Sequence, residues 1–197
     1  MDDIETIKIY DRKIEDYIKL TNRSPAKALV DFIDSISLPG FVLDLGCGPG
    51  TSAAFMKNSG LKVDAVDGSP KMVEMANAKY NLNARRLLFH EISGENIYDG
   101  VWANFSLLHA KKKNFVSHLG QIYRVLKPKG VFSIGMKLGS GENRDVLGRF
   151  YAYYSKQELI DFLSLCGFVF EFEYFGEEKG LVGAVEPWIV VRVKKLC

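Results

Sequence analysis

The sequence predicts an α/β protein with a parallel sheet covered by helices on both faces. Three observations predict it. Short apolar strands alternate with segments of helical periodicity from Phe41 onward. The first strand runs into a glycine-rich turn, Gly46-Cys47-Gly48-Pro49-Gly50, and then a helix. The second strand closes on an acidic residue, Asp67, 21 residues after Gly46. No repeat or low-complexity linker breaks the pattern, and 197 residues suit one domain.

The elements follow in order. Residues 4 to 20 carry Ile7, Tyr10, Ile14, Tyr17 and Ile18 at helical spacing, which predicts one amphipathic helix. Ser24-Pro25 reads as an N-cap with a first-turn proline, opening a helix that buries Leu29, Phe32, Ile33 and Ile36. Pro39-Gly40 ends it, and Phe41 to Leu45 is the first strand. Thr51 to Ser59 is a compact helix stopped by Gly60, and Lys62 to Asp67 is the second strand. Ser69-Pro70 repeats the start signal for a helix through Met72, Met75, Ala76 and Tyr80. Arg86 to His90 is the third strand and Gly100 to Phe105 the fourth.

A helix from about Asn114 to Leu126 puts Phe115, Leu119, Ile122 and Leu126 on one face. Pro128-Lys129-Gly130 turns the chain into a fifth strand, Val131 to Met136, and a polar glycine-containing loop spans 137 to 150. Ser155 and Glu158 have capping-box spacing, with Leu159, Phe162, Leu163 and Cys166 following on one face and Gly167 as the stop. Phe168 to Phe175 and Trp188 to Val193 are the last two strands.

Composition excludes several classes. A net charge of +2 gives no reason to expect DNA or an anionic membrane as partner. The basic run Lys111-Lys112-Lys113 reads as the solvated start of a helix or loop. The opening Met1-Asp2-Asp3-Ile4-Glu5 is unlike a secretory signal, and no apolar run reaches the ~18 residues of a membrane span. Cys47, Cys166 and Cys197 are odd in number and far apart, without a C-x-x-C pair or a His/Cys cluster. Neither a disulfide framework nor a metal site is expected, and a reducing cytoplasm is the natural compartment. A monomer is the simplest expectation, because no long exposed apolar stripe asks for a partner.

The chemistry sits at the strand ends. Glycines at 46, 48 and 50 let the backbone turn sharply and approach a ligand, and the following helix offers free N–H groups. A dinucleotide fingerprint would read G-x-G-x-x-G, but the sixth position here is Thr51. Asp44, two residues before the first glycine, would repel a pyrophosphate and could pair with an amino group. That favours a ligand with a cationic amino-acid end over NAD. Asp67 stands where an acidic residue reads ribose hydroxyls, and Asp64, inside the strand, is the weaker competitor.

Four segments together resemble the class I S-adenosylmethionine-dependent methyltransferases. Leu43-Asp44-Leu45-Gly46-Cys47-Gly48-Pro49-Gly50 is similar to the first motif of that family, and Val66-Asp67-Gly68-Ser69-Pro70-Lys71-Met72 to its second. Tyr98-Asp99-Gly100-Val101-Trp102-Ala103-Asn104 resembles its fourth-strand motif, and Val125-Leu126-Lys127-Pro128-Lys129-Gly130-Val131 the turn before its fifth strand. The likeness covers roughly residues 40 to 170.

The resemblance implies a Rossmann-like, doubly wound, seven-stranded sheet with one reversed strand, so that 168–194 form an antiparallel pair. It implies S-adenosylmethionine as cofactor, with S-adenosylhomocysteine as product. Gly46, Cys47, Gly48 and Gly50 would line it, with Asp44 near its amino group. Asp67, followed by Gly68 and Ser69, would hold the ribose, Met72 would pack on the adenine, and Asn104 and Phe105 would lie near the methionine part. Glu91, followed by Ile92, stands where the family often has an Asp for the adenine amino group, a departure in length. One domain over 1–197 is expected, as a helical cap or lid at 1–38, a cofactor-binding core at 39–136, and a substrate loop, helix and strand pair at 137–197.

Acceptor-side candidates come from three places. They are the lid helix with Tyr10, Arg12 and Tyr17; the end of the fourth strand, Ser106 to His109; and 137–154 with Glu142, Arg144, Arg149, Tyr151, Tyr153 and Tyr154. Each has a bland alternative. His109 could cap a turn, the tyrosines could be core, and the arginines could pair with Glu142 and Asp145 on the surface. The stretch Asn104-Phe105-Ser106-Leu107 lacks the proline pair of amino-directed nucleic-acid methyltransferases, and no aromatic-interleaved basic stripe suggests RNA or DNA. A small-molecule acceptor is the preferred expectation. A tRNA or protein methyltransferase, a non-catalytic S-adenosylmethionine-binding protein and an NAD-dependent oxidoreductase are the alternatives, so RNA stays open as a partner.

Overall fold

Helix ends follow the local signals. The computed structural model describes residues 3–21 and 26–196. Asp3 caps α1 (Ile4–Arg12), its carboxylate accepting the Thr6 N–H at 2.9 Å. The single helix expected over 4–20 is in fact two. The chain breaks at Lys13 (φ −108°), whose N–H closes on the Ile9 and Tyr10 carbonyls, and α2 (Ile14–Thr21) follows. On one straight helix, residues seven apart stand about 10.5 Å apart along the axis. The break lets the Tyr10 and Tyr17 rings meet edge to face at 5.3 Å. The Ser24-Pro25 start signal and Cys197 lie outside the described residues; α3 (Lys27–Asp34) is described from Ala26 onward.

In chain order there follow β1 (Phe41–Leu45), α4 (Thr51–Asn58), β2 (Lys62–Asp67), α5 (Pro70–Tyr80), β3 (Arg85–Arg86), β4 (Tyr98–Asn104), α6 (Lys112–Val125) and β5 (Leu126–Lys137). Then come β6 (Glu142–Arg144), β7 (Phe150–Ala152), α7 (Lys156–Leu165), β8 (Phe168–Lys179) and β9 (Val185–Lys195). Ser69 and Ser155 cap α5 and α7 as expected, accepting the Met72 and Glu158 N–H groups at 3.1 Å each.

The main sheet has seven strands in the order β3-β2-β1-β4-β5-β9-β8. The first five positions are parallel, and β9 runs antiparallel to both neighbours, so the reversed strand lies inside the sheet. Alternation decides which face each residue covers. Leu43, Val101, Phe132 and Ile134 meet α6 and α7, with Phe115, Leu119, Leu159 and Leu163 in one core. Val42, Trp102, Val131 and Val190 meet Leu29, Phe32 and Ile33 of α3 on the other face.

Three further expectations need correction. The third strand, expected over 86–90, pairs only at Arg85 and Arg86. Phe89–Glu91 is a 3-10 turn, closed by the Glu91 carboxylate accepting the Leu88 N–H at 2.6 Å. The apolar run there is burial without pairing: Phe89 is fully buried, and its ring lies 5.7 Å from His118. The loop expected over 137–150 holds a two-stranded ribbon, β6 against β7, with Asp145 accepting the Leu147 and Arg149 N–H groups in the turn. The last two strands run past 175 and start before 188, so their turn reaches the carboxyl end of the sheet. The edge strand β8 also exposes Val169, Phe170, Phe172 and Phe175, an apolar stretch that the sequence pattern did not single out. Among the described residues, no helix is long and apolar enough to cross a membrane.

Candidate functional site

Strand order reverses between β1 and β4, so the loops at their carboxyl ends diverge and leave a crevice. Two adjoining cavities open there. The narrower, about 30 Å³, is bounded by Gly46, Gly48, Asp67, Met72, Asn104 and Ser106. The wider, about 160 Å³, lies toward β7 and the β8–β9 turn. Tyr10, Tyr17, Phe105 and His109 face both.

On the narrow side, the glycine loop is laced to β2. The Gly46 and Cys47 N–H groups donate to the Val66 carbonyl at 2.8 and 2.9 Å. Asp67 accepts the Gly48 N–H at 2.9 Å on one oxygen and the Ser69 N–H at 2.8 Å on the other. One buried carboxylate therefore fixes the loop and the start of α5 together. Burial pushes its pKa up, against those two backbone donors. Glycine at 46 is required twice over. Its φ is +81°, and a Cβ there would lie 2.3 Å from the Ser106 Cβ. Gly50 serves packing: a Cβ there would meet Ala76 and Leu82 of the neighbouring elements at 2.9 and 2.6 Å.

Asp44 is 2% exposed, and its Oδ2 has no hydrogen-bond partner. Burial, reinforced by the nearby Asp67 charge, pushes its pKa up to about 8. Asn104 Oδ1 is likewise buried without a partner. Asn104 Oδ1 packs against Gly135, whereas the Asp44 oxygen, unpaired beside the glycine loop, marks a place for a donor.

On the wide side, four of the acceptor-side candidates come together: Tyr10, His109, Arg149 and Tyr151. His109 is buried; its Nδ1 stands 2.6 Å from the Phe150 carbonyl, which can only accept. Nδ1 therefore carries the proton, and Nε2 accepts the Tyr10 hydroxyl at 2.9 Å. Burial lowers the His109 pKa to about 3, so the ring is neutral. Arg149 donates to the Tyr10 oxygen at 3.2 Å and to Asp145 at 2.7 and 2.9 Å. Tyr151 stacks obliquely on His109 at 4.7 Å.

The other sequence-predicted residues separate. Arg149 does pair with Asp145, but in the interior, not on the surface. Arg144 instead holds Asp3 at 2.8 Å, tying the ribbon to the start of α1. Arg12 is exposed beside Glu5, and Glu142 accepts the Lys112 N–H. Tyr154 is core, its ring 4.6 Å from Phe115, whereas the Tyr153 hydroxyl donates to Glu186. Asp64 pairs with Arg85 and accepts the Tyr98 hydroxyl, away from the crevice. The Cys47 side chain turns into a cluster with Ala53, Ala65 and Ala76. Gly68 presents its carbonyl to Arg86, Ser69 donates to Asp11 of α1, and Ile92 lies in the main core. Glu91 is exposed and committed to its own turn.

Sequence reasoning missed Leu181, Glu186 and Trp188. Their only available signal was Gly180-Leu181-Val182-Gly183, a turn whose position shows how far the last two strands extend.

Residues 42–130 match a family model described as a methyltransferase domain. The putative methyltransferase YqeM of Bacillus subtilis is 31% identical over 128 residues, which cover 58% of this chain and 50% of YqeM. The chain spans half or less of the length of the curated relatives it matches. Among solved structures, the 1,6-didemethyltoxoflavin-N1-methyltransferase of Burkholderia thailandensis was determined with 1,6-didemethyltoxoflavin and S-adenosylhomocysteine bound. It superposes with a TM-score of 0.72 at 21% identity, covering 97% of this chain and 88% of its own. The [4+2]-cyclase SpnF superposes at 0.74 with 16% identity, covering 96% and 94%. At these identities the structural likeness is one of fold. Residues 42–130 thus resemble a methyltransferase domain in sequence, and the strand order is that of the Rossmann-like methyltransferase fold.

Proposed function

We propose that the protein transfers a methyl group from S-adenosylmethionine, in line, to a small molecule held in the wider cavity. The observation that carries this reading is Asp44, a buried carboxylate with an unpartnered oxygen beside the glycine loop. An amino-acid ammonium is the donor that satisfies it. When bound, S-adenosylmethionine supplies a methyl group on a sulfonium, which an acceptor lone pair displaces as the S–C electron pair returns to a neutral thioether.

The chain's own residues then have few tasks. Asp44 receives the ammonium, and the Gly46 and Gly48 backbone allows close approach. Asp67 keeps lone pairs for ribose hydroxyls while holding the loop. Met72, buried on the narrow side, packs on the adenine, and Asn104 and Phe105 flank the methionine part. Tyr10 and Tyr17 cover the junction of the two cavities and exclude water. Alignment of donor and acceptor supplies most of the catalysis, so no triad is needed. The solved neighbour that binds 1,6-didemethyltoxoflavin supports a small-molecule acceptor.

Calorimetric titration with S-adenosylmethionine, S-adenosylhomocysteine and NADH in parallel tests the reading. Micromolar binding of both sulfur compounds with silence from NADH supports it. Binding of NADH alone overturns it and makes Asp67 a dinucleotide ribose ligand.

A further inference from the structure

Resting on the methyl-transfer reading, the cofactor meets an obstacle made of the chain itself. The narrow cavity measures about 30 Å³. One benzene ring takes a cavity of about 150 Å³. An adenine, a ribose and an amino-acid chain together need several times that space. The narrow side, with the N-terminal helices where they stand, has no room for S-adenosylmethionine.

Tyr17 takes the space. Its ring lines both cavities, and its Cε1 lies 3.5 Å from where a Cβ on Gly48 would stand. The glycine that lets a ligand come close to the loop is here approached by a side chain of the same molecule. Burial pushes the Tyr17 hydroxyl pKa up, and the nearby Tyr10, Asp67 and Asp44 groups push it the same way. The ring therefore points among the two carboxylates that the methyl-transfer reading gives to the ribose and the ammonium.

The two N-terminal helices are held differently. α1 is fastened along its length. Asp3 pairs with Arg144 at 2.8 Å, and the Thr6 hydroxyl oxygen accepts the Phe150 N–H at 2.8 Å. Tyr10 donates to His109 and accepts from Arg149, and Asp11 accepts the Ser69 hydroxyl. Lys13 then leaves helical geometry, and α2 starts anew at Ile14. Ile14 and Tyr17 pack half-buried against the main core, whereas Glu15, Asp16 and Lys19 face solvent. A single non-helical residue between a fastened helix and a half-exposed one is a hinge.

We infer that α2 is a plug: it turns at Lys13 while α1 stays fastened, and Tyr17 fills part of the cofactor's place until S-adenosylmethionine enters. A plug acts before binding, unlike a cover that only packs on a bound cofactor. Burial of one aromatic ring favours the plugged form about tenfold or more, and binding is slowed and weakened by the open fraction. One side chain thus sets how much cofactor the chain needs. After entry, α2 returns and Tyr17 covers the junction.

The test is the association rate of S-adenosylhomocysteine, read by surface plasmon resonance on the native chain, Tyr17→Ala and Tyr17→Phe. Tyr17→Ala is expected to associate at least about tenfold faster than the native chain. Tyr17→Phe keeps the ring and is expected to associate like the native chain. An unchanged or slower association in Tyr17→Ala, with faster dissociation, overturns the inference and makes Tyr17 a wall that packs on bound cofactor. Hydrogen exchange on the free native chain tests the hinge without any substitution. Amides of 14–21 are expected to exchange faster than those of 4–12, and equal protection of the two helices overturns the inference. If neither the native chain nor Tyr17→Ala binds S-adenosylhomocysteine, the cofactor reading falls and the plug with it. Binding with equal association rates removes the plug alone.

Discussion

The two cavities share four side chains, yet they are put together in different ways. The narrow one is made of turns that follow single strands: Gly46 and Gly48 after β1, Asp67 at the end of β2, Asn104 at the end of β4. Each turn is written in its own few residues, and hydrogen bonds between the first two tie them together. The wide one draws Tyr10 from α1, Lys137 from the end of β5, Arg149 and Tyr151 from the ribbon, Leu181 from the β8–β9 turn and Trp188 from β9. No two of those segments are brought together by local geometry. The comparison teaches that one side of a crevice can be built from turns that follow single strands, whereas the other takes shape only with the tertiary assembly around it.

Substitutions can break that comparison from either side. Arg149→Ala has the largest expected effect. It strands the half-buried Asp145 carboxylate and removes a donor from Tyr10, so a loss of about 3 kcal/mol in unfolding free energy is expected. Denaturant melts check that loss. Turnover should fall with it, while S-adenosylhomocysteine affinity in the folded fraction changes little. An equal fall in cofactor affinity would mean that the two sides are not separable.

Asp67→Ala tests the other side. Removing the carboxylate frees the Gly48 and Ser69 N–H groups and any ribose contact. Cofactor binding should weaken by at least about tenfold, near 1.4 kcal/mol. Calorimetry on a variant with native circular dichroism reads it, and unchanged affinity would remove Asp67 from the site.

Arg144→Ala is the smallest. Its ion pair with Asp3 is open to solvent, so it should cost less than ~1 kcal/mol. Its use is to ask how firmly α1 is held. Faster hydrogen exchange over 4–12 with little change in melting temperature is the expected result.

The same contrast explains what was legible in the sequence. The cap Ser69, the strand ending in Asp67 and the glycine turn were readable because they are local. The choice of Asp67 over Asp64 followed from its place at the strand end, and the two carboxylates do part company there. The break at Lys13 was hidden, since periodicity through 18 continues across it and only the tyrosine contact reveals the bend. The third strand misled because Leu87, Leu88 and Phe89 are apolar for packing reasons and not for pairing. Arg149 read either as an acceptor-side residue or as a surface partner of Asp145, and nothing local indicated that α1 would cover it.

The most direct test of the account is whether Asp44 gives up a proton to the cofactor. With its pKa raised from 3.8 to about 8, Asp44 is protonated in the free protein at neutral pH, and its contribution to stability is lost as pH rises through about 8. An ammonium at its Oδ2 reverses that preference and expels the proton. Titration of S-adenosylhomocysteine at pH 7, in buffers of different ionisation enthalpy, counts it. The account predicts release of about one proton, and none from Asp44→Asn, whose affinity should no longer rise with pH between about 6 and 8. Binding without proton release, or the same release from the variant, would contradict it.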